Sequence, residues 1–175
     1  MLSFRPLVLA DLPAFAEWLN RPHLREFFQR LPISAAEVEV KYSPTIRGET
    51  PTCCHLALLD GEPFGYLQCY RIAAYPDWAE TIGENTGIGA DLMIFEPALI
   101  GRGLGKRMLG LYLKDVAFPL FPDESVCFIG HARANTAGWR NSESLGFAPV
   151  RDFLEEGIES RLYALKRAQI QDFRG

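Results

Sequence analysis

The sequence predicts an α+β fold, and three observations carry that prediction. Strand-like and helix-like runs follow one another as β, helices, β-β-β, glycine loop and helix, β, helix, β-β. Two strand pairs are joined by turn-forming dipeptides, Asp60-Gly61 and Glu156-Gly157, which favour antiparallel hairpins. The strict alternation of strand and helix that marks a doubly wound parallel sheet is absent. With 175 residues, the chain is expected to form one domain over 1–175, long enough for a substantial core.

Each element has a local reason. Residues 2–9 alternate like a strand. Asp11 is expected to cap a helix through Asn20, with Leu12, Phe15, Ala16 and Leu19 on one face and Pro13 near its start, where proline is tolerated. Residues 23–28 read as a second, short helix. Ser34 and Glu37 make a capping box for a third helix running toward Thr45, which Pro44 is expected to end or kink. Residues 52–59 and 63–72 are the strands flanking Asp60-Gly61. Residues 73–87, rich in Gly, Asn, Pro and acids, read as a loop, and 88–95 as the next strand. A helix follows to about Ala117, before Pro119 and Pro122, and then a short apolar strand over 125–130. Asn135 is suited to cap a helix ending at Leu145-Gly146, where glycine fits the position after the last turn. Residues 147–154 and 160–166 form a closing hairpin.

Composition narrows the function. The net charge of −4, from 18 Lys+Arg against 22 Asp+Glu, argues against a nucleic-acid partner and suits a cationic or neutral one. No apolar run approaches the ~20 residues of a membrane span. The first nine residues lack the apolar stretch and cleavage site of a signal peptide, so a cytoplasmic protein without a membrane partner is expected. Cys53, Cys54, Cys69 and Cys127 lie in strand-like runs with no C-x-x-C pair and read as buried reduced thiols. His23, His55 and His131 are scattered, and no metal site is expected.

The most specific feature is the run Ile100-Gly101-Arg102-Gly103-Leu104-Gly105-Lys106, between a strand and a helix. Glycine allows positive φ and leaves no Cβ in the way of a close neighbour. The following helix offers unpaired N–H groups and the positive end of its dipole, a combination that binds phosphate. The spacing fits neither G-x-x-x-x-G-K-[ST] nor G-x-G-x-x-G. It does resemble the pyrophosphate loop of the GNAT superfamily of N-acetyltransferases, [QR]-x-x-G-x-[GA], with Gly103 and Gly105 at the small positions and Ile100 where Gln or Arg is usual. The segment from Asn135 to Gly146-Phe147 resembles a second block of that superfamily. Glu17-Trp18-Leu19-Asn20-Arg21, Phe27-Phe28, Gly61-Glu62-Pro63, Gly65-Tyr66, Gln68, Trp78, Glu80 and Gly89-Ala90-Asp91 resemble one branch, the aminoglycoside 6'-N-acetyltransferases. That branch also tends to carry an aliphatic residue at the place of Ile100.

The resemblance implies a layered α/β/α fold. Its sheet would be mixed and mostly antiparallel, with six to seven strands, splayed central strands and helices on both faces. It implies acetyl-CoA as co-substrate, a small-molecule amine as acceptor, most nearly an aminoglycoside-like polyamine, and a monomer or homodimer. A siderophore hydroxylamine, a metabolite amine, a protein N-terminus and a non-catalytic CoA-binding role are the alternatives. Asp91 would anchor the ammonium and act as base. Backbone groups near Met93, Ile94 and Phe95 would polarise the thioester. Gly101, Arg102, Gly103, Leu104, Gly105 and Lys106 would hold the pyrophosphate, with Asn135 near the pantetheine. Ser142 stands where a thiolate-protonating Tyr is common, and Gly130 where relatives carry an acid. Asp77, Trp78, Glu80 and Glu84, with Trp18, are the residues expected to meet the acceptor.

Overall fold

Seven strands make one mixed sheet in a computed structural model that describes residues 1–175. They are β1 (Leu2–Pro6), β2 (Cys53–Leu59), β3 (Glu62–Arg71), β4 (Ile88–Ile94), β5 (Val126–Ala132), β6 (Ala148–Glu155) and β7 (Ile158–Lys166), in the order β1-β2-β3-β4-β5-β7-β6. The chain divides into two compact units, Met1–Gln68 with Leu92–Ile100, and Cys69–Asp91 with Gly101–Gly175.

In the first unit, β1 lies antiparallel to β2, with Leu2 opposite Leu59 and Pro6 opposite His55. Asp60 and Gly61 both take positive φ, 52° and 93°, as the expected hairpin turn requires. Helices α1 (Leu12–Leu19), α2 (Pro22–Phe27) and α3 (Ala35–Ile46) follow β1. They bury Leu12, Phe15, Leu19, Leu24, Val38 and Tyr42 in a core with Leu56, Tyr66, Met93 and Phe95. Phe15 is its centre, with ring centroids 4.9 Å from both Tyr42 and Tyr66. Each such side chain contributes about 1.5–3 kcal/mol through removal from water.

Three local expectations need correction here. The first strand stops at Pro6, because residues 9–11 turn into a 3-10 segment. Asp11 does not cap α1. Its carboxylate accepts from the Val8 N–H at 3.0 Å and from the Arg5 guanidinium at 2.7 and 2.8 Å, closing the preceding turn instead. Pro44 does not stop α3, which runs to Ile46; the donor it lacks would have met the carbonyl of Val40, an exposed residue. The Ser34–Glu37 capping box forms as expected.

In the second unit, β4 and β5 are parallel neighbours, and their ladder pairs Ile88 with Cys127 and Gly89 with Phe128. β5 pairs antiparallel with β7 from Val126↔Lys166 to Ala132↔Ser160, and β7 with β6. Glu156 and Gly157 form the closing turn at φ 48° and 81°. Residues 73–87 are not only loop. Pro76–Ile82 is a helix, α4, with proline in its first turn, buried Ile82 at its end and Gly83 at φ 67° closing it. The helix after the glycine loop, α5, spans Leu104–Tyr112. It passes through a wide π turn, Leu113–Ala117, into the short α6, Phe118–Leu120. α7 (Thr136–Leu145) is capped by Asn135 Oδ1, 2.9 Å from the Gly138 N–H, and closed by Gly146 at φ 105°. Ile72, Ile82, Phe128 and Leu162 form this unit's smaller core, with Trp78 and Phe153 packed against it.

No helix is long and apolar enough to cross a membrane. None of the four cysteines is in a disulfide; Cys54, Cys69 and Cys127 are buried, but Cys53 is only partly so.

Candidate active site

The glycine loop is open. Gly101 and Gly103 both take φ 77°, and nothing lies within 4 Å of the place a Cβ would occupy on either. Gly103 is the residue immediately before α5, so the unpaired N–H groups of the helix begin there. Arg102 is exposed and Lys106 half-buried, so both cations stand beside this bare main chain. Gly105 differs: a Cβ there would fall 2.8 Å from Asn141 Oδ1, so its smallness serves the packing of α5 on α7.

Asp91 is a half-buried residue inside β4, not at a strand end. Two residues before it, Gly89 lies under the Tyr70 ring, whose carbons are 2.4 Å from where a Cβ would be. Burial and then the Asp91 charge hold the Tyr70 hydroxyl well above the usual tyrosine range. Burial and the same carboxylate push the Cys127 thiol up. Tyr70 and Cys127 therefore stay protonated beside Asp91, so it is the negative charge among these groups. Tyr70 also meets the Tyr75 ring edge-on, at 5.1 Å, and feels the charge of Glu155.

The acceptor residues expected around Trp78 divide. Asp77 and Glu80 are exposed on α4. Glu84 is engaged, 2.7 Å from Arg151. Trp78 packs edge-on against Phe153 at 5.6 Å. A Cβ on Gly130 would meet Phe153 Cζ at 3.0 Å and Trp78 Cη2 at 3.6 Å. The space where relatives would place an acid is thus filled by aromatic rings.

Asn135 is committed to capping α7 through Oδ1. Ser142 is fully buried, with its hydroxyl 2.8 Å from His131 Nε2. That bond turns the hydroxyl inward, so it offers no surface donor. His131, held in an apolar setting, has its pKa pushed down to about 4 and is neutral at pH 7. In the first unit, Trp18 stacks on Phe95 at 4.1 Å, and Met93 is buried beside them. The Phe95 N–H donates to the Phe64 carbonyl at 2.8 Å, so it is not available to polarise a thioester. Of the three backbone positions expected near a thioester, this removes Phe95.

Residues 8–154 match the family model described as an acetyltransferase (GNAT) domain. The chain belongs to this family. It is 29% identical over 111 residues to the aminoglycoside N(6')-acetyltransferases type 1 of Klebsiella pneumoniae and of Serratia marcescens. The match covers 62% of this GNAT chain and 55% of each relative, so the chain spans about half the length of the curated relatives it matches. Among solved structures, it superposes on the aminoglycoside acetyltransferase AAC(6')-Ib in complex with coenzyme A with TM-score 0.85 and 24% identity, over 100% of both chains. The same enzyme with coenzyme A and kanamycin gives the same values. An aminoglycoside N(6')-acetyltransferase from Legionella pneumophila gives 0.72 at 17% identity, covering 99% of this chain and 96% of that one. These likenesses show the fold: a seven-stranded mixed sheet with helices.

Four residues were not singled out by the sequence: Tyr70, on which Asp91 bears, Tyr75 and Glu155, which bear on Tyr70 as well, and Phe153 over Gly130. Tyr70 and Phe153 look like ordinary positions in alternating strands. One signal was available, namely that Gly89, two residues before the singled-out Asp91, requires something large across it.

Proposed function

We propose that the chain is an acetyl-CoA-dependent N-acetyltransferase that acts on a primary amine by direct transfer in a ternary complex. The open loop carries the reading: Gly101 and Gly103 leave bare, positively curved main chain at the start of α5, with Arg102 and Lys106 beside it. These residues fit a pyrophosphate, since a Cβ on either glycine would enter the space its oxygens need.

In the proposed reaction the amine nitrogen forms a bond to the acetyl carbonyl carbon as the carbon–sulfur bond breaks. The ammonium sheds one proton before attack and a second as the amide forms, both through Asp91 or a water it holds; the departing thiolate takes one from solvent, because Ser142 is turned inward, so one proton is released overall. Asp91 also fixes the nitrogen at attacking distance, and such positioning supplies several kcal/mol of the barrier. N–H groups near Met93 and Ile94 would bear on the carbonyl oxygen.

Two acceptor classes follow. The names of the relatives favour an aminoglycoside-like polyamine. The aromatic cover on Gly130 favours an amine with fewer charges. Thiol release from acetyl-CoA with kanamycin, tobramycin, N-hydroxylysine, simple amines and no acceptor tests the reading. Acceptor-dependent release is expected, and coenzyme A binding without turnover on any amine would overturn it.

A further inference from the structure

One cavity in the second unit shares no lining residue with the glycine loop or with Asp91. It encloses about 250 Å³ between His131, Arg133, Trp139, Glu143, Arg161 and Tyr163. Two elements build it. On the sheet, His131 of β5 stands opposite Arg161 of β7, and Tyr163 follows two residues on, so the three side chains share one face. On α7, Trp139 and Glu143 are four residues apart and lie one above the other on the same side of the helix.

The floor is aromatic and fixed. His131 and Tyr163 are buried, with ring centroids 5.7 Å apart. The hydrogen bond to Ser142 holds the imidazole, which is neutral at pH 7 because burial pushes its pKa down to about 4. Trp139 is half-buried, with the Arg140 guanidinium 5.3 Å from its ring. The rim is charged. Arg161 donates to both oxygens of Asp152, at 2.6 and 3.0 Å. Arg133 comes only to 3.5 Å from that occupied carboxylate, so its fork of donors is open to a ligand. Glu143 is exposed on α7, and its charge bears on the Tyr163 hydroxyl, as do the opposite charges of Arg161 and Arg133. The phenol thus lies between an acid on the helix and two guanidinium groups.

These groups limit the ligand. The volume falls below the roughly 300–1,000 Å³ of sites for drug-sized molecules, so the occupant is small. An open guanidinium fork selects a carboxylate or a phosphate, and Glu143 disfavours the more highly charged phosphate. Glu143 in turn suits an ammonium. Three rings between these charges favour a flat apolar body over a sugar.

We infer that this cavity binds a small zwitterion, an aromatic α-amino acid, with its carboxylate on Arg133, its ammonium on Glu143 and its ring among His131, Trp139 and Tyr163. The site stands or falls without the acetyltransferase reading.

Calorimetric titration of the full chain, without acetyl-CoA so that no probe is acetylated, tests the assignment with a matched set. L-Phenylalanine carries all three features. Hydrocinnamate lacks the ammonium, 2-phenylethylamine the carboxylate, and glycine the ring. L-Phenylalanine is expected to bind with a Kd below about 1 mM, and the other three at least tenfold more weakly. Arg133→Gln and Glu143→Gln should each weaken L-phenylalanine binding at least tenfold. Both residues are exposed, so neither change is expected to unfold the protein, and melting curves check this. Absence of L-phenylalanine binding at millimolar concentration overturns the inference, as does hydrocinnamate or 2-phenylethylamine binding as tightly as the amino acid. Undiminished binding by either variant also overturns it, because the ligand would then not be held at both ends.

Discussion

Two sets of glycines in the second unit look alike in the sequence and differ in the fold. Gly101 and Gly103 face open space, with no atom within 4 Å of a Cβ position. Gly89, Gly130 and Gly138 are roofed by residues of the protein itself: the Tyr70 ring, the Phe153 and Trp78 rings, and the Asn135 and His131 side chains. On the proposed function the first pair leaves room for a pyrophosphate. The second group makes room for residents: aromatic rings over the sheet and the side chains at the start of α7. A glycine therefore marks a close approach in both settings, and only the neighbours tell whether the visitor is ligand or side chain.

The largest effect that could break this contrast is on Asp91, the charge beside the roofed glycines. Asp91→Asn should lower turnover 10²–10⁴-fold, the range for loss of a positioned acid–base group, and leave coenzyme A affinity within about twofold. Initial rates and calorimetric titration of the same sample decide it. Equal losses in both would mean that the carboxylate supports the fold rather than the chemistry.

The next effect concerns His131 over Gly138. With its folded pKa near 4 and an unfolded value near 6.5, the unfolded chain binds the extra proton first as pH falls. Its contribution is neutral above pH 6.5, becomes destabilising between 6.5 and 4, and reaches about 3 kcal/mol below that. Denaturant titrations at pH 7 and pH 4 should show the loss, and His131→Gln should remove most of it. An unchanged pH dependence in that variant would place the acid sensitivity elsewhere.

Gly89→Ala is expected to cost about 1–3 kcal/mol, because the new Cβ collides with the Tyr70 ring. The double variant with Tyr70→Ser should recover part of that stability in thermal melts. Independent, additive losses would show that the ring does not rest on the glycine. The smallest effect belongs to Arg151, which lies across Gly83 at the end of a flexible side chain. Arg151→Gln should change stability by no more than about 1 kcal/mol, as a surface ion pair does.

Local chemistry made much of this fold legible. Asp60-Gly61 and Glu156-Gly157 announced both hairpins, and Ser34, Asn135 and Gly146 marked helix ends. The glycine loop and Asp91 stood out because three alternate glycines and a carboxylate in an apolar strand are both unusual. Helix α4 was hidden by length and composition. Seven residues opened by a proline and closed by a glycine resemble a loop, although Trp78 and Ile82 share the i, i+4 spacing of a buried face. Asp11 misled for a different reason, since a nearby Arg5 competes for the carboxylate that would cap α1. The aromatic roofs needed the fold itself. Tyr70 over Gly89, and Phe153 with Trp78 over Gly130, are contacts between residues far apart in the chain that strand pairing and the packing of α4 bring together.

The most direct test is calorimetric titration of coenzyme A into three proteins: wild type, Gly103→Val, and Gly48→Val. Gly48 has φ 73° and equally empty surroundings, so it carries the same backbone strain away from the loop. The account predicts matching affinity for wild type and Gly48→Val, and at least a tenfold weaker Kd for Gly103→Val. Undiminished coenzyme A binding by a folded Gly103→Val protein would contradict it.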